Sequence, residues 1–177
     1  MFEIVIAILV ILALAIAAVL VLASRKPDTF RVQRAATIDA PPERIFPLIS
    51  DFRQWRAWSP WEDRDPDLQR SYSGPASGQG AVYQWKGNRN VGAGRMEILE
   101  APPHRIVIKL DFISPLEGHN TAEFTLSPQG GGTNVTWLMH GPAPLLSKVM
   151  QVFINMDDMI GKDFAAGLAR LKRAAEG

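Results

Sequence analysis

Histidines and carboxylates are the side chains here that move protons or hold metals, and their spacing restricts both roles. His104, His119 and His140 are scattered, without the short-range pairing of a zinc site. There is no cysteine, which removes disulfides, thiol nucleophiles and thiolate-bound metals together. Asp63-x-Asp65-x-Asp67 opens like a calcium loop, but Leu68 stands where glycine is needed and Gly74 where a bidentate glutamate is needed. A solvated acidic turn is the expectation, with no metal and no cofactor.

A serine nucleophile finds no better support. The nearest string to G-x-S-x-G, Gly74-Pro75-Ala76-Ser77-Gly78, misplaces its serine. Gly78-x-Gly80 and Gly92-x-Gly94 are followed by Tyr83 and Glu97 where a dinucleotide loop needs its third glycine, so they read as bends or bulges. Glu97, Asp111, Asp157 and Asp158 remain as acid–base candidates if a cavity shifts their pKa values, or as ordinary surface carboxylates. Glu97 and Asp111 fall on the wet faces of their strands, and Asp157-Asp158 flank the apolar stripe of a helix. No catalytic set is assigned.

The other unusual side chains are aromatic. Trp55, Trp58, Trp61 and Trp85, four of the five tryptophans, lie between Trp55 and Ile98, with Tyr72 and Tyr83 among them and glycines at 74, 78, 80, 87, 92 and 94. Large flat rings on glycine-interrupted strands suit a curved sheet with an aromatic-lined mouth. Trp58, Trp61, Tyr83, Trp85 and Met96 are candidate ligand-lining residues from this stretch. Phe124, Trp137, Phe153, Ile160 and Phe164 are the candidates beyond it, with Trp85, Trp137 and Phe164 foremost. The same residues serve equally as the plain core of a domain this size. A true cavity would have pocket dimensions, on the order of 300–1,000 Å³.

The elements that position these residues begin with an anchor. Residues 4–23 are only Ile, Val, Leu and Ala, twenty residues that rise about 30 Å as a helix, the thickness of a bilayer's hydrocarbon core. Fourteen of them are Ile, Leu or Val, together worth about −6 kcal/mol on an insertion scale. A cleaved signal peptide would carry a basic start and a shorter apolar run, whereas the early charge here is Glu3; Leu22-Ala23-Ser24 imitates a cleavage site. Arg25-Lys26 directly follow the span. The positive-inside rule then places the N-terminus outside and the domain in the cytoplasm, at the inner membrane. Residues 1–26 form the anchor with its basic flank and 27–177 a single domain. Without Glu3, 19 basic residues face 17 acidic ones, a balance of +2 that argues against a nucleic-acid partner.

After the break at Pro27-Asp28, Phe30–Ile38 alternates as a strand, interrupted on its apolar face by Arg34. Pro41-Pro42-Glu43 starts a short helix to Ile49, and Ser50-Asp51 caps a second over Phe52–Trp58. Strands are predicted near 68–73, 80–86, 91–99, 105–113, 120–127 and 133–140, with alternation clearest in Ile106/Ile108/Leu110, Ala122/Phe124/Leu126 and Val135/Trp137/Met139. One long helix is predicted from Leu146 to Ala175, its stripe formed by Val149, Phe153, Met156, Ile160, Phe164, Leu168 and Leu171. Gly161 inside it costs about 1 kcal/mol relative to alanine, which fits a close approach at that point.

The predicted class is α+β: a curved seven-stranded antiparallel sheet around a long C-terminal helix, two short helices after the first strand, and one preceding transmembrane helix. That order, with Ala40-Pro41-Pro42-Glu43-Arg44-Ile45-Phe46, Trp55-x-x-Trp58-Ser59-Pro60-Trp61, Tyr72-Ser73-Gly74, Trp85-x-Gly87-Asn88, Gly92-x-Gly94-x-Met96 and Gly167-Leu168-x-x-Leu171-Lys172, resembles the SRPBCC superfamily. This is the START-related helix-grip fold, in its polyketide cyclase/dehydrase-like branch, over about residues 29–175. The resemblance implies a hydrophobic small molecule or lipid as ligand; it does not imply cyclase chemistry, because fold does not fix function. Three functions follow as expectations: a membrane-tethered carrier of an apolar molecule, an accessory subunit of a membrane complex packed through Ala13, Ala15, Ala17 and Ala18, or a cyclase/dehydratase-type enzyme using His119, Asp157 or Asp158.

Overall fold

The computed structural model describes residues 1–177. Its first element is helix α1, Phe2–Ser24, whose 23 residues rise about 35 Å. It is long and apolar enough to cross a membrane, and none of its most apolar stretch is buried against the rest of the chain. After four linking residues, β1 (Thr29–Ile38) begins the sheet. Helix α2 (Pro42–Ser50) starts on a proline, whose missing N–H costs nothing in a first turn. Asp51 ends it and caps a short 3-10 turn, Phe52–Ala57, by accepting from the Arg53 amide at 2.9 Å.

Six strands follow: β2 (Gln69–Ser73), β3 (Val82–Lys86), β4 (Ala93–Glu100), β5 (Arg105–Ser114), β6 (Gly118–Gln129) and β7 (Gly132–Pro142). All neighbours are antiparallel, in the order β1-β7-β6-β5-β4-β3-β2, so the first and last strands meet. A register shift at Ala93/Gly94 bends β4, as the glycine pair there predicts. Alternation sets the inner face. Val32 and Ile38, Ile106 and Ile108, Ala122, Phe124 and Leu126, and Val135, Trp137 and Met139 are buried, while the residues between them mostly meet water.

The expected single helix from Leu146 to Ala175 is two helices. α3 covers Leu145–Phe153, Ile154 is extended (φ −126°, ψ 130°), and α4 covers Met156–Glu176. The cause lies in Asn155. Its side chain accepts from the amides of Asp157 and Asp158 at 3.0 and 3.4 Å, and the two acidic residues complete a helix start. The apolar period runs unbroken through this point, so it conceals the cap. α4 lies across the inner face of β1 and buries Phe164, Leu168 and Leu171; α3 turns away and packs against α1.

Candidate functional site

The space between sheet and α4 is filled with rings. Trp137, at the middle of β7, stacks on Phe164 of α4 with centroids 4.1 Å apart and planes 6° apart, and on Phe124 of β6 at 4.8 Å. Trp58, Trp61 and Trp55 meet its edges at 5.5, 5.7 and 6.4 Å. Two of these rings are pinned: the indole N–H of Trp55 donates to the Ile49 carbonyl at 2.9 Å and that of Trp58 to the Leu48 carbonyl at 2.8 Å. The indole N–H of Trp137 is buried without a partner. Each such aromatic pair contributes roughly 0.5–1.5 kcal/mol beyond burial, so the cluster is a strong seam between helix and sheet.

Most of the predicted lining residues therefore meet as packed core. Trp58, Tyr83, Met96, Phe124, Trp137 and Phe164 are buried there; Trp61, Trp85 and Ile160 are half-buried against them. Trp55, not among the candidates, belongs with them; its spacing from Trp58 on one turn was the available signal. Phe153 does not join. It is 72% exposed, because the break at Asn155 sends α3 outward.

A polar cluster borders the rings. Glu62, 7% exposed, accepts from the Tyr83 hydroxyl at 2.7 Å and from Arg70 Nε at 2.6 Å, and Arg70 also donates to the Glu62 carbonyl at 3.1 Å. Burial, then the bond to Glu62, raises the pKa of the Tyr83 phenol far above the ordinary tyrosine value, so it remains a donor. Sequence reasoning passed over Glu62, since nothing in its spacing separates it from a surface residue. The neighbouring acidic turn also differs from expectation. Asp65 is 6% exposed, not solvated, and accepts from the amides of Asp67 at 3.0 Å and Asn88 at 2.6 Å, tying the turn to the β3–β4 loop. Asp63 points away to Arg170.

The acid–base candidates are all spoken for by surface partners or solvent. Glu97 pairs with Arg95 at 2.7 Å. Asp111 meets His119 Nδ1 at 2.8 Å, and that hydrogen bond raises the imidazole pKa. Asp157 takes both Nη atoms of Arg34, at 3.0 and 2.9 Å, which lowers its own pKa. Asp158 is exposed. None reaches the ring-filled interior, and no proton-transfer set forms.

Among the clefts on the surface, two bear on a ligand site. One, of about 480 Å³, lies at the Glu100 end of β4 among Phe46, Ser50, Gln79 and Pro102, remote from α1. The other, of about 420 Å³, lies beside the end of α1, between β1 and the α3–α4 junction. Its apolar walls are Phe30, Val32, Val152, Phe153, Ile154 and Met156; its rim carries Lys26, Arg31 and Asp157. Val32 is part of the core, so the floor of this cleft is the edge of the ring-filled interior. The side-chain nitrogen of Gln151, another wall residue, is buried with no hydrogen-bond partner. Of the predicted lining residues, Phe153 alone is found in this cleft.

Comparison with known proteins agrees with the architecture. Residues 29–176 match the family model described as polyketide cyclase/dehydrase and lipid transport. No curated protein sequence matches the chain. Among solved structures, protein CV1439 from Chromobacterium violaceum superposes with a TM-score of 0.58 at 18% identity, over 86% of this chain and 99% of that one. KanY gives 0.61 at 17% identity, over 84% and 99%. The di-domain ARO/CYC protein BexL, from the BE-7585A biosynthetic pathway, gives 0.60 at 19% identity, over 88% of this chain and 53% of that one. At these identities the likeness carries the fold alone. The chain belongs to the polyketide cyclase/dehydrase and lipid transport family, a helix-grip member of the SRPBCC superfamily over residues 29–176.

Proposed function

We propose that this chain is a membrane-tethered SRPBCC domain that binds an apolar or amphipathic small molecule, a lipid included, in the cleft between β1 and the α3–α4 junction. One observation carries the reading: a cleft that sets apolar side chains beside charged groups and an unpartnered amide donor opens directly beside the end of a helix long and apolar enough to cross a bilayer. Such a cleft suits a ligand with a hydrocarbon body and an oxygen-bearing head. This reading sets the ligand at the edge of the interior, whereas the sequence offered the rings themselves either as a lining or as plain core, and the rings pack together. The positive pair after α1 supports a cytoplasmic position for the domain.

Mass identification of what co-purifies with the detergent-extracted full chain tests this. The expected result is one apolar or amphipathic species enriched over the bulk membrane lipids. A profile identical to the bulk lipids would overturn it.

A further inference from the structure

Exposed large apolar side chains C-terminal to α1 are few, and they are not spread evenly. They are Ile113 and Leu116 at the β5–β6 hairpin, Leu145, Leu146, Met150 and Phe153 on α3, Ile154 and Met159 just after it, and Leu99. All but Leu99 lie toward the end of the domain from which α1 leaves. The register requires this: Thr29 pairs with Pro142, and Phe112 with Gly118, so the start of β1, the β5–β6 hairpin and the entry to α3 share one edge of the fold. The opposite end, where β1, β4 and β6 finish, exposes Leu99 alone of this set.

α3 is itself two-sided. At 100° per residue Leu145, Leu146, Val149, Met150 and Phe153 fall on one face, and Ser147, Lys148 and Gln151 on the other. Ala23 and Val19, one turn apart, are the residues of α1 withdrawn from solvent, and α1 packs on α3. Lys148 pairs with Asp28, fixing the polar face of α3 to the chain entry. Only residues 25–28 separate α1 from β1, a reach of at most about 18 Å over the five steps from Ser24 to Thr29. Because α1 packs on α3, a bilayer crossed by α1 lies next to α3.

From this we infer that α3, with the tip of the β5–β6 hairpin, is a second membrane contact that lies in the bilayer interface. The occupant is lipid: the short tether holds α3 close to that one apolar phase, and α3, with its apolar face exposed, packs on α1 itself. An interfacial helix of this kind buries its apolar side about 5–10 Å below the headgroups. So placed, it brings the cleft lined by Phe30, Val32 and Phe153 down to the lipid surface. The inference rests on the proposed span, and its test separates the two.

The chain has no cysteine, so single cysteines report one position each. Leu12→Cys, Leu99→Cys, Leu116→Cys, Leu146→Cys and Phe153→Cys all alter exposed side chains, so folding is unthreatened. Each full-length variant, carrying an environment-sensitive fluorophore, is reconstituted into phosphatidylcholine/phosphatidylglycerol vesicles containing nitroxide-labelled lipid. Labels at 116, 146 and 153 are expected to lose fluorescence to nitroxides placed just below the headgroup, the label at 12 to nitroxides at the acyl ends, and the label at 99 to neither. Quenching at 12 with silence at 146 and 153 overturns the inference and leaves the span standing. Silence at 12 removes the span and the inference with it. Disulfide cross-links between copies through 146 or 153, in place of lipid quenching, assign the face to a second copy and overturn it too.

Discussion

The guanidinium of Arg34 lies where a side chain at Gly161 would be: a Cβ built there falls 1.9 Å from Arg34 Nη2. Arg34 is the charged residue that interrupts the inward face of β1, and the missing side chain in α4 gives it room to reach both carboxylate oxygens of Asp157. Strand and helix are thus joined through a gap. Gly161→Ala gains about 1 kcal/mol of helix propensity while pushing the guanidinium off its partner. Melting temperatures of a double-mutant cycle read the relationship. Asp157→Asn is expected to lower the melting temperature in the native background and to have a smaller effect beside Gly161→Ala. Equal effects in both backgrounds would separate the two residues.

Gly167, two turns on, faces a rigid neighbour instead. A Cβ there would stand 2.8 Å from Trp137 Cζ3 and 3.2 Å from Pro60 Cδ, against a ring already stacked on Phe164. Overpacking a filled core costs about 1–3 kcal/mol, more than the helix gains from alanine. Denaturant unfolding is expected to show Gly167→Ala less stable than wild type and clearly less stable than Gly161→Ala.

The Glu62 cluster predicts an order of damage. Tyr83→Phe removes one donor and leaves Glu62 held by Arg70, a loss of about 1–3 kcal/mol. Glu62→Ala leaves Arg70, whose side chain is only 17% exposed, without its counter-charge, a loss of about 3–5 kcal/mol. The cluster also has a pH signature. Because the folded Tyr83 pKa is raised, its stabilising contribution is complete below the unfolded tyrosine value near 10 and is lost as pH rises beyond it. Ultraviolet titration is expected to show Tyr83 ionising only with unfolding, and Tyr83→Phe to flatten the alkaline loss of stability.

His119 gives a second pH-dependent handle, on the surface. Its pKa is raised by the hydrogen bond to Asp111, so its stabilising contribution is complete below the unfolded histidine value of about 6.5 and is lost as pH rises through the folded one. Proton NMR of the imidazole is expected to give a midpoint above 6.5 in the native chain, returning toward that value in Asp111→Asn. An unchanged midpoint would remove the pair.

The strands were legible because their period was undisturbed: β5, β6 and β7 alternate, and their ends fell within a few residues of the Pro and Gly breakers. The break between α3 and α4 was hidden because Phe153 and Met156 keep the helical period on both sides of a capping Asn155. Periodicity reports which residues are apolar, not whether they share one axis. The rings were visible as a set, but their volumes alone do not say whether they line a space or fill it. Glu62 and Asp65 were unreadable for a related reason: burial of a carboxylate depends on partners 8 to 23 residues away, Arg70, Tyr83 and Asn88, that only the folded sheet assembles.

Native mass spectrometry of the full chain, released from detergent beside its Val152→Trp variant, tests the cleft most directly. Val152 forms part of the cleft wall, so the larger indole fills the space without entering the core. A tethered lipid site predicts a stoichiometric apolar adduct on the native chain that is lost in the variant. An adduct retained unchanged by Val152→Trp, or none on the native chain, would contradict it.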